Sequence, residues 1–93
     1  MKAICLFAAL AAQSAWAQDR CAPSGQVYHT LETRWEEHRV FAGLSPDGTL
    51  VETFANAESE SWTTLVTTPA GRSCIAAAGQ GFVLYPLVRG EAS

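Results

Sequence analysis

The chain has 93 residues, of which 48% are hydrophobic and 16% charged, with three cysteines and a formal net charge of −3. So short a chain supports one small domain and buries only a modest share of its apolar surface. The excess of carboxylates and the lack of any basic run argue against nucleic acid or anionic lipid as a partner.

The N-terminal residues have the three parts of a secretory signal peptide. Lys2 supplies a positive charge, residues 3–12 are apolar, and the small-x-small triplet 15–17 precedes Gln18. An apolar stretch of about ten residues falls short of the roughly twenty that span a bilayer, which argues against a membrane anchor. We therefore expect a signal peptide over residues 1–17, cleavage near Ala17, and a periplasmic or secreted product without a membrane span.

The mature chain predicted by this cleavage carries five arginines, nine carboxylates and no lysine, so its net charge is about −4. Two cysteines remain, Cys21 and Cys74. An even number of cysteines in an oxidising compartment predicts a disulfide between them. The bridge would close a loop of about 54 residues and, in the chain-entropy estimate, stabilise the fold by about 4 kcal/mol.

The first predicted element of the mature chain is a helix over residues 25–38, with Ser24 as its N-cap. Val27, Leu31 and Trp35 recur at four-residue spacing, with Tyr28 beside them, which is typical of one apolar helix face. We expect the charged side chains of this segment on the solvated face of the helix; they are Glu32, Arg34, Glu36 and Glu37.

Four strands are predicted after the helix, over residues 40–44, 49–55, 61–68 and 72–78. Ser45-Pro46-Asp47-Gly48 is typical of a type I turn, and Pro69-Ala70-Gly71 forms a second tight turn. An acidic loop, residues 56–60, joins the second and third strands. The predicted fold is α+β: one N-terminal helix packed on a roughly four-stranded antiparallel meander, in two layers, with a single disulfide.

Side-chain alternation assigns provisional faces to this sheet. If Cys74 points at the helix, Phe54, Trp62 and Val66 share its face. The opposite face is then apolar and carries Phe41, Val51, Leu65 and Ile75. Either the C-terminal segment 82–88 or a second protein molecule covers such a face, and we expect the segment to cover it. The predicted organisation is thus a signal peptide, a domain over residues 18–80, and an apolar segment and tail over residues 81–93.

Residue patterns that carry catalysis are not found. Motifs for a serine nucleophile elbow, a zinc protease, a phosphate-binding loop and a dithiol redox site are missing. His29 and His38 lie nine residues apart on the predicted helix, too far along its axis to share a metal. Glu58 and Glu60 are better explained by a polar loop than by a glycosidase pair, and residues 79–81 lack the third glycine of a dinucleotide site. We expect no catalytic residues, metal or cofactor.

Three segments, residues 52–56, 61–64 and 68–79, resemble a group of small exported proteins from alphaproteobacteria. In that group a signal peptide precedes an early Cys, a helix, a Trp-Thr strand and a Gly-x-x-Cys strand that ends in an Ala/Gly run. The similarity covers about residues 21–82, and the segment after it departs from the pattern. The resemblance implies an envelope protein without an assigned activity and with no catalytic residues to carry over.

These observations predict a non-catalytic binding module of the cell envelope, whose partner is an envelope or extracellular protein or a second copy in a weak homodimer. One alternative is a secreted inhibitor that inserts the acidic loop 56–60 into the cleft of an extracellular hydrolase. A further alternative is a small hydrolase that uses His29 with neighbouring carboxylates. The candidate interaction residues are Phe41, Val51, Leu65, Ile75, Glu58, Glu60 and Trp62.

Overall fold

A computed structural model of the chain describes residues 20–88. The elements in chain order are strand β1 (Cys21–Pro23), helix α1 (Ser24–Thr33), and strands β2 (His38–Leu44), β3 (Leu50–Ala55), β4 (Ser61–Thr67) and β5 (Arg72–Gln80). The strands form one antiparallel sheet in the order β1-β5-β4-β3-β2. The predicted signal peptide lies outside the described residues.

The predicted α+β fold, with an N-terminal helix on a four-stranded meander, is wrong. The protein is mostly β, with five strands and one short helix among the described residues. β1 precedes the helix and pairs with β5, which places Cys21 directly opposite Cys74. Because β1 has only three residues, Cys-Ala-Pro, no alternation of polar and apolar side chains marks it as a strand.

Helix α1 begins at Ser24, so the predicted N-cap at this residue is wrong. Pro23 holds the N-cap position, and no side chain within residues 20–88 caps the helix. The backbone N–H of Ser24 donates instead to the carbonyl of Gly71, at 2.8 Å. This bond ties the start of the helix to the turn between β4 and β5.

The helix ends at Thr33, five residues before the predicted end at His38. Glu36 has a φ of 52°, in the left-handed region that L-residues seldom occupy, and this reverses the chain. The N–H of Glu37 then donates to the carbonyl of Leu31, at 2.9 Å. Trp35 therefore leaves the apolar face of the helix and is 58% exposed.

Both predicted tight turns are confirmed. Gly48 has a φ of 89°, and its N–H donates to the carbonyl of Ser45 at 2.9 Å. Gly71 closes the second turn with a φ of 87°. In the first turn, Asp47 Oδ1 accepts a hydrogen bond from the N–H of Thr49 at 3.0 Å. This bond holds the pKa of the Asp47 carboxyl below its usual range.

Helix α1 packs on one face of the sheet and forms a small apolar core. Leu31, Phe54 and Leu65 are buried there, and the rings of Tyr28 and Phe54 stack with centroids 5.6 Å apart. Val27 and Ile75 pack against this cluster. Each large apolar side chain buried contributes about 1.5–3 kcal/mol, so a core of this size benefits from a covalent link.

The predicted Cys21–Cys74 disulfide is confirmed, but it links two neighbouring strands and not the helix to the sheet. Cys74 alternates with Ser73 and Ile75, whose side chains lie on the helix side, so the disulfide lies on the other face. The face assignment of β4 and β5 is consequently reversed. Leu65 and Ile75, predicted for the uncovered face, lie beneath the helix.

The C-terminal segment does not cover the sheet. Residues 81–88 have no regular secondary structure. Between 64% and 98% of the surface of five apolar side chains in this segment is exposed; they are Val83, Leu84, Tyr85, Leu87 and Val88. Among residues 20–88, no helix combines the length and the apolar character needed to cross a membrane.

Candidate functional site

The sheet face opposite the helix carries apolar side chains around a central pair of threonines, Thr53 and Thr64, whose hydroxyl oxygens lie 2.9 Å apart. Strand register places Phe41 beside Thr53, and Val51 beside Val66. We call this surface the open face; its larger members are Phe41, Val51, Trp62 and Val66. With the helix on the other side and the C-terminal segment exposed, no described element packs over it. It has the composition of a surface that binds another protein.

Trp62 lies flat on the open face because its neighbour on β5 is a glycine. Gly79 pairs with Trp62, and a Cβ at position 79 would lie 3.2 Å from Cζ2 of the indole. Any larger residue would push the ring away from the sheet. Trp62 therefore packs away from α1, contrary to the provisional face assignment, and extends the open face towards the end of β5.

Strand β2 is an edge of the sheet, since β3 is its only neighbour among the described strands. Phe41 is 55% exposed and Leu44 74% exposed. A bulge at Val40 interrupts the register, so the regular part of this edge runs from Phe41 to Leu44. Unpaired backbone groups beside exposed apolar side chains form a template for a further strand. We call Phe41–Leu44 the β2 edge.

The structure divides the predicted interaction residues among three places. Phe41, Val51 and Trp62 lie on the open face, whereas Leu65 and Ile75 are removed from it by their packing under α1. Val66 belongs to the open face and was missed, because the wrong orientation was assumed for Cys74. Glu58 and Glu60, the remaining two, lie in the loop between β3 and β4.

That acidic loop is ordered by its first residue. Asn56 Oδ1 accepts hydrogen bonds from the N–H groups of Glu58, at 2.8 Å, and Ser59, at 3.1 Å. The N–H of Glu60 donates to the Asn56 carbonyl at 2.8 Å, and Glu60 has a φ of 65°. The two glutamate side chains are both exposed on this fixed backbone.

A buried carboxylate lies between the helix and the sheet. Glu52 is 1% exposed, and its Oε1 accepts from Tyr28 Oη at 2.6 Å and Thr67 Oγ1 at 3.2 Å. Its Oε2 lies 3.0 Å from Nε of Arg39. The Arg39 guanidinium also lies 5.3 Å from the centroids of the Tyr28 and Phe54 rings. Since both carboxylate oxygens have partners, this cluster holds β2 and the helix on the sheet.

A second buried carboxylate, Glu37, contradicts the prediction that this residue is solvated. It is 1% exposed, and its Oε2 accepts from Ser61 Oγ at 2.7 Å. Its Oε1 has no hydrogen-bond partner among the described residues. Glu37 lines an open cleft of about 800 Å³ between α1 and strands β1, β4 and β5. A helix that continued to His38 would have placed it outside, so the early end of α1 creates this site.

The two histidines do not form a site together. His29 is exposed on α1, and His38 is exposed at the start of β2. Within residues 20–88, no group of three or more His, Cys, Asp or Glu side chains is arranged to hold a metal ion.

Comparisons with protein-family models, with curated proteins and with solved structures give no match to this chain.

Proposed function

We propose that the mature protein is an exported, non-catalytic binding module that recruits an envelope or extracellular protein along the β2 edge and over the open face. The observation that carries this proposal is the exposure of apolar side chains on an edge strand, most of all Phe41 and Leu44. A partner strand added there satisfies the free backbone groups of β2 and buries both side chains.

The disulfide supports the exported part of the proposal. Disulfides such as Cys21–Cys74 form and persist in the periplasm and outside the cell, and are rare in reducing compartments. The net negative charge of the predicted mature chain also bears on which interactions hold a partner. Main-chain pairing and apolar contact, neither of which requires opposite charges, account for binding at this edge better than electrostatic attraction does.

A second copy of the chain is the simplest alternative partner. Two β2 edges pair antiparallel around a two-fold axis, because an antiparallel edge is complementary to itself. Such a homodimer has a mass that depends on concentration, and a Leu44→Lys variant would remain monomeric. A purified protein that stays monomeric at high concentration, while still binding its envelope partner, points to a heterologous partner.

Site-specific photo-crosslinking in the native envelope tests the proposal. We expect a crosslinker at position 41 to give a discrete adduct, and one at the exposed helix position Glu32 to give none. Adding Leu44→Lys, which places a charge on the edge, should abolish the adduct. Equal adducts from positions 41 and 32, or none from position 41, would overturn the proposal.

The ordered acidic loop favours a second candidate function, inhibition of an extracellular hydrolase. Because Asn56 fixes the loop before binding, little conformational entropy is lost when Glu58 and Glu60 enter a cleft. Replacing both glutamates by Ala should raise the inhibition constant at least about tenfold, as expected for the loss of charged hydrogen bonds. Glu32→Ala removes a charge from the helix and is the control. An unchanged inhibition constant in the double variant would show that the acidic loop is not the inhibitory segment.

A further inference from the structure

The cleft beside α1 has the size and lining of a small-molecule site. Its volume of about 800 Å³ falls in the range of known ligand pockets. Val27, Leu31, Ile75 and Ala78 contribute apolar walls. Trp35, displaced from the helix face by the chain reversal at Glu36, also lines the cleft.

Two ionisable residues of the described chain line this cleft, Glu37 and, at its other end, Arg20. The Glu37 side chain is buried, and among the described residues only Ser61 Oγ donates to its carboxylate, at Oε2. A buried carboxylate oxygen without a donor is costly, and native structures nearly always satisfy such groups. The ligand that complements it has a positively charged N–H donor, and the apolar walls require an apolar body on that ligand.

The position of Glu37 orients this ligand. Ser61, its hydrogen-bond partner, pairs with Gln80 at the far end of β5. Arg20 enters the cleft wall at the other end, where its carbonyl accepts from the N–H of Ile75. Ile75 and Gln80 are five positions apart on β5, a backbone distance of about 17 Å. The charged end of the ligand lies beside Glu37, and its body extends towards Val27 and Ile75.

We propose that this cleft binds a small amphipathic amine, with the ammonium group beside the Glu37 carboxylate and the apolar body along α1 and β5. The cleft is separate from the β2 edge, because β2 lies at the opposite edge of the sheet from β1, but it borders the open face at Trp62, which lines both. Its ligand can therefore bind while a partner strand is paired with the β2 edge.

Titration of the mature, disulfide-bonded protein with 2-phenylethylamine, followed by amide NMR shifts, tests the proposal. The matched probe is 2-phenylethanol, which has the same body without the charge. We expect saturable shifts at Ser61, Thr63 and Ala78 in the millimolar range or below for the amine, and at least about tenfold weaker binding of the alcohol. Equal binding of the two probes, or no saturable shift with the amine, would overturn the proposal.

Two variants test whether the Glu37 carboxylate is the group that binds the amine. Glu37→Gln preserves shape and an acceptor for Ser61, and should weaken amine binding at least about tenfold. Glu32→Gln makes the same charge change on the exposed face of α1 and should leave binding within about twofold. Amine binding by a folded Glu37→Gln protein within twofold of wild type would contradict the assignment. If this variant does not fold, the comparison of the two probes on the wild-type protein decides whether the cleft recognises the ammonium group.

Discussion

Arg39 on the edge strand and Glu52 on the neighbouring strand form an ion pair with Nε and Oε2 3.0 Å apart. The side chain of Glu52 is 1% exposed, whereas that of Arg39 is 48% exposed. The pair therefore faces the helix side of the sheet and anchors β2 from within. The other side of β2 has no neighbouring strand among the described residues, so the ion pair stabilises the strand that we propose as the binding edge.

Removing the cation from this pair should destabilise the protein. Arg39→Met leaves the Glu52 carboxylate buried with only two neutral donors, Tyr28 and Thr67. We expect a loss of about 1–3 kcal/mol in the free energy of unfolding, below the cost at a fully buried pair because Arg39 is half exposed. Denaturant unfolding measures it, with the exposed Arg34→Met as control. If a second change, Glu52→Gln, restores part of the lost free energy of unfolding, Arg39 and Glu52 are energetically coupled. If the effects of the two changes simply add, they are not coupled.

The disulfide should supply a large part of the stability. Cys21 and Cys74 are 53 positions apart, and the loop between them predicts about 4 kcal/mol of stabilisation when closed. We expect the double variant Cys21→Ser, Cys74→Ser to be largely unfolded at physiological temperature. The circular dichroism spectrum of the double variant should match that of the wild-type protein under reductant. A variant destabilised by less than about 1 kcal/mol would show that the core suffices alone.

The left-handed residue after the helix offers a test of stored backbone strain. Glu36 has a φ of 52°, and glycine adopts this conformation at little cost. Glu36→Gly should therefore stabilise the protein by about 0.5–1 kcal/mol. His29→Gly, at an exposed position within α1, should instead destabilise it by about 1 kcal/mol. Chemical unfolding of both variants checks the contrast, and equal destabilisation would exclude strain at position 36.

The first β-turn should make stability depend on pH. The hydrogen bond from the Thr49 N–H lowers the pKa of Asp47 in the folded protein, so folding favours the ionised carboxylate. This contribution is complete above the ordinary Asp pKa of about 3.9 and is lost as the pH falls through the lower folded value. The melting temperature gap between wild type and Asp47→Ala should accordingly narrow in acid. A gap that is independent of pH would contradict this role.

Local chemistry made several elements predictable, and tertiary contacts decided the others. Gly48 and Gly71 marked their turns because few other residues adopt positive φ. β1 could not be predicted, because it exists only through its pairing with β5. Glu37 was assigned to solvent because its burial depends on a chain reversal at Glu36, a residue with no turn preference. The predicted orientation of Cys74 towards the helix was wrong, because a disulfide can join two neighbouring strands as readily as it joins a helix to a sheet.

Hydrogen exchange of the protein alone and with its captured partner tests the central claim most directly. Backbone amides on the free side of β2, within Phe41–Leu44, should exchange more slowly in the complex, while those of α1 remain unchanged. Slower exchange confined to the loop of Glu58 and Glu60 would instead support the second candidate function, inhibition of a hydrolase. Unchanged exchange throughout the β2 edge would contradict the account that this strand is the binding surface.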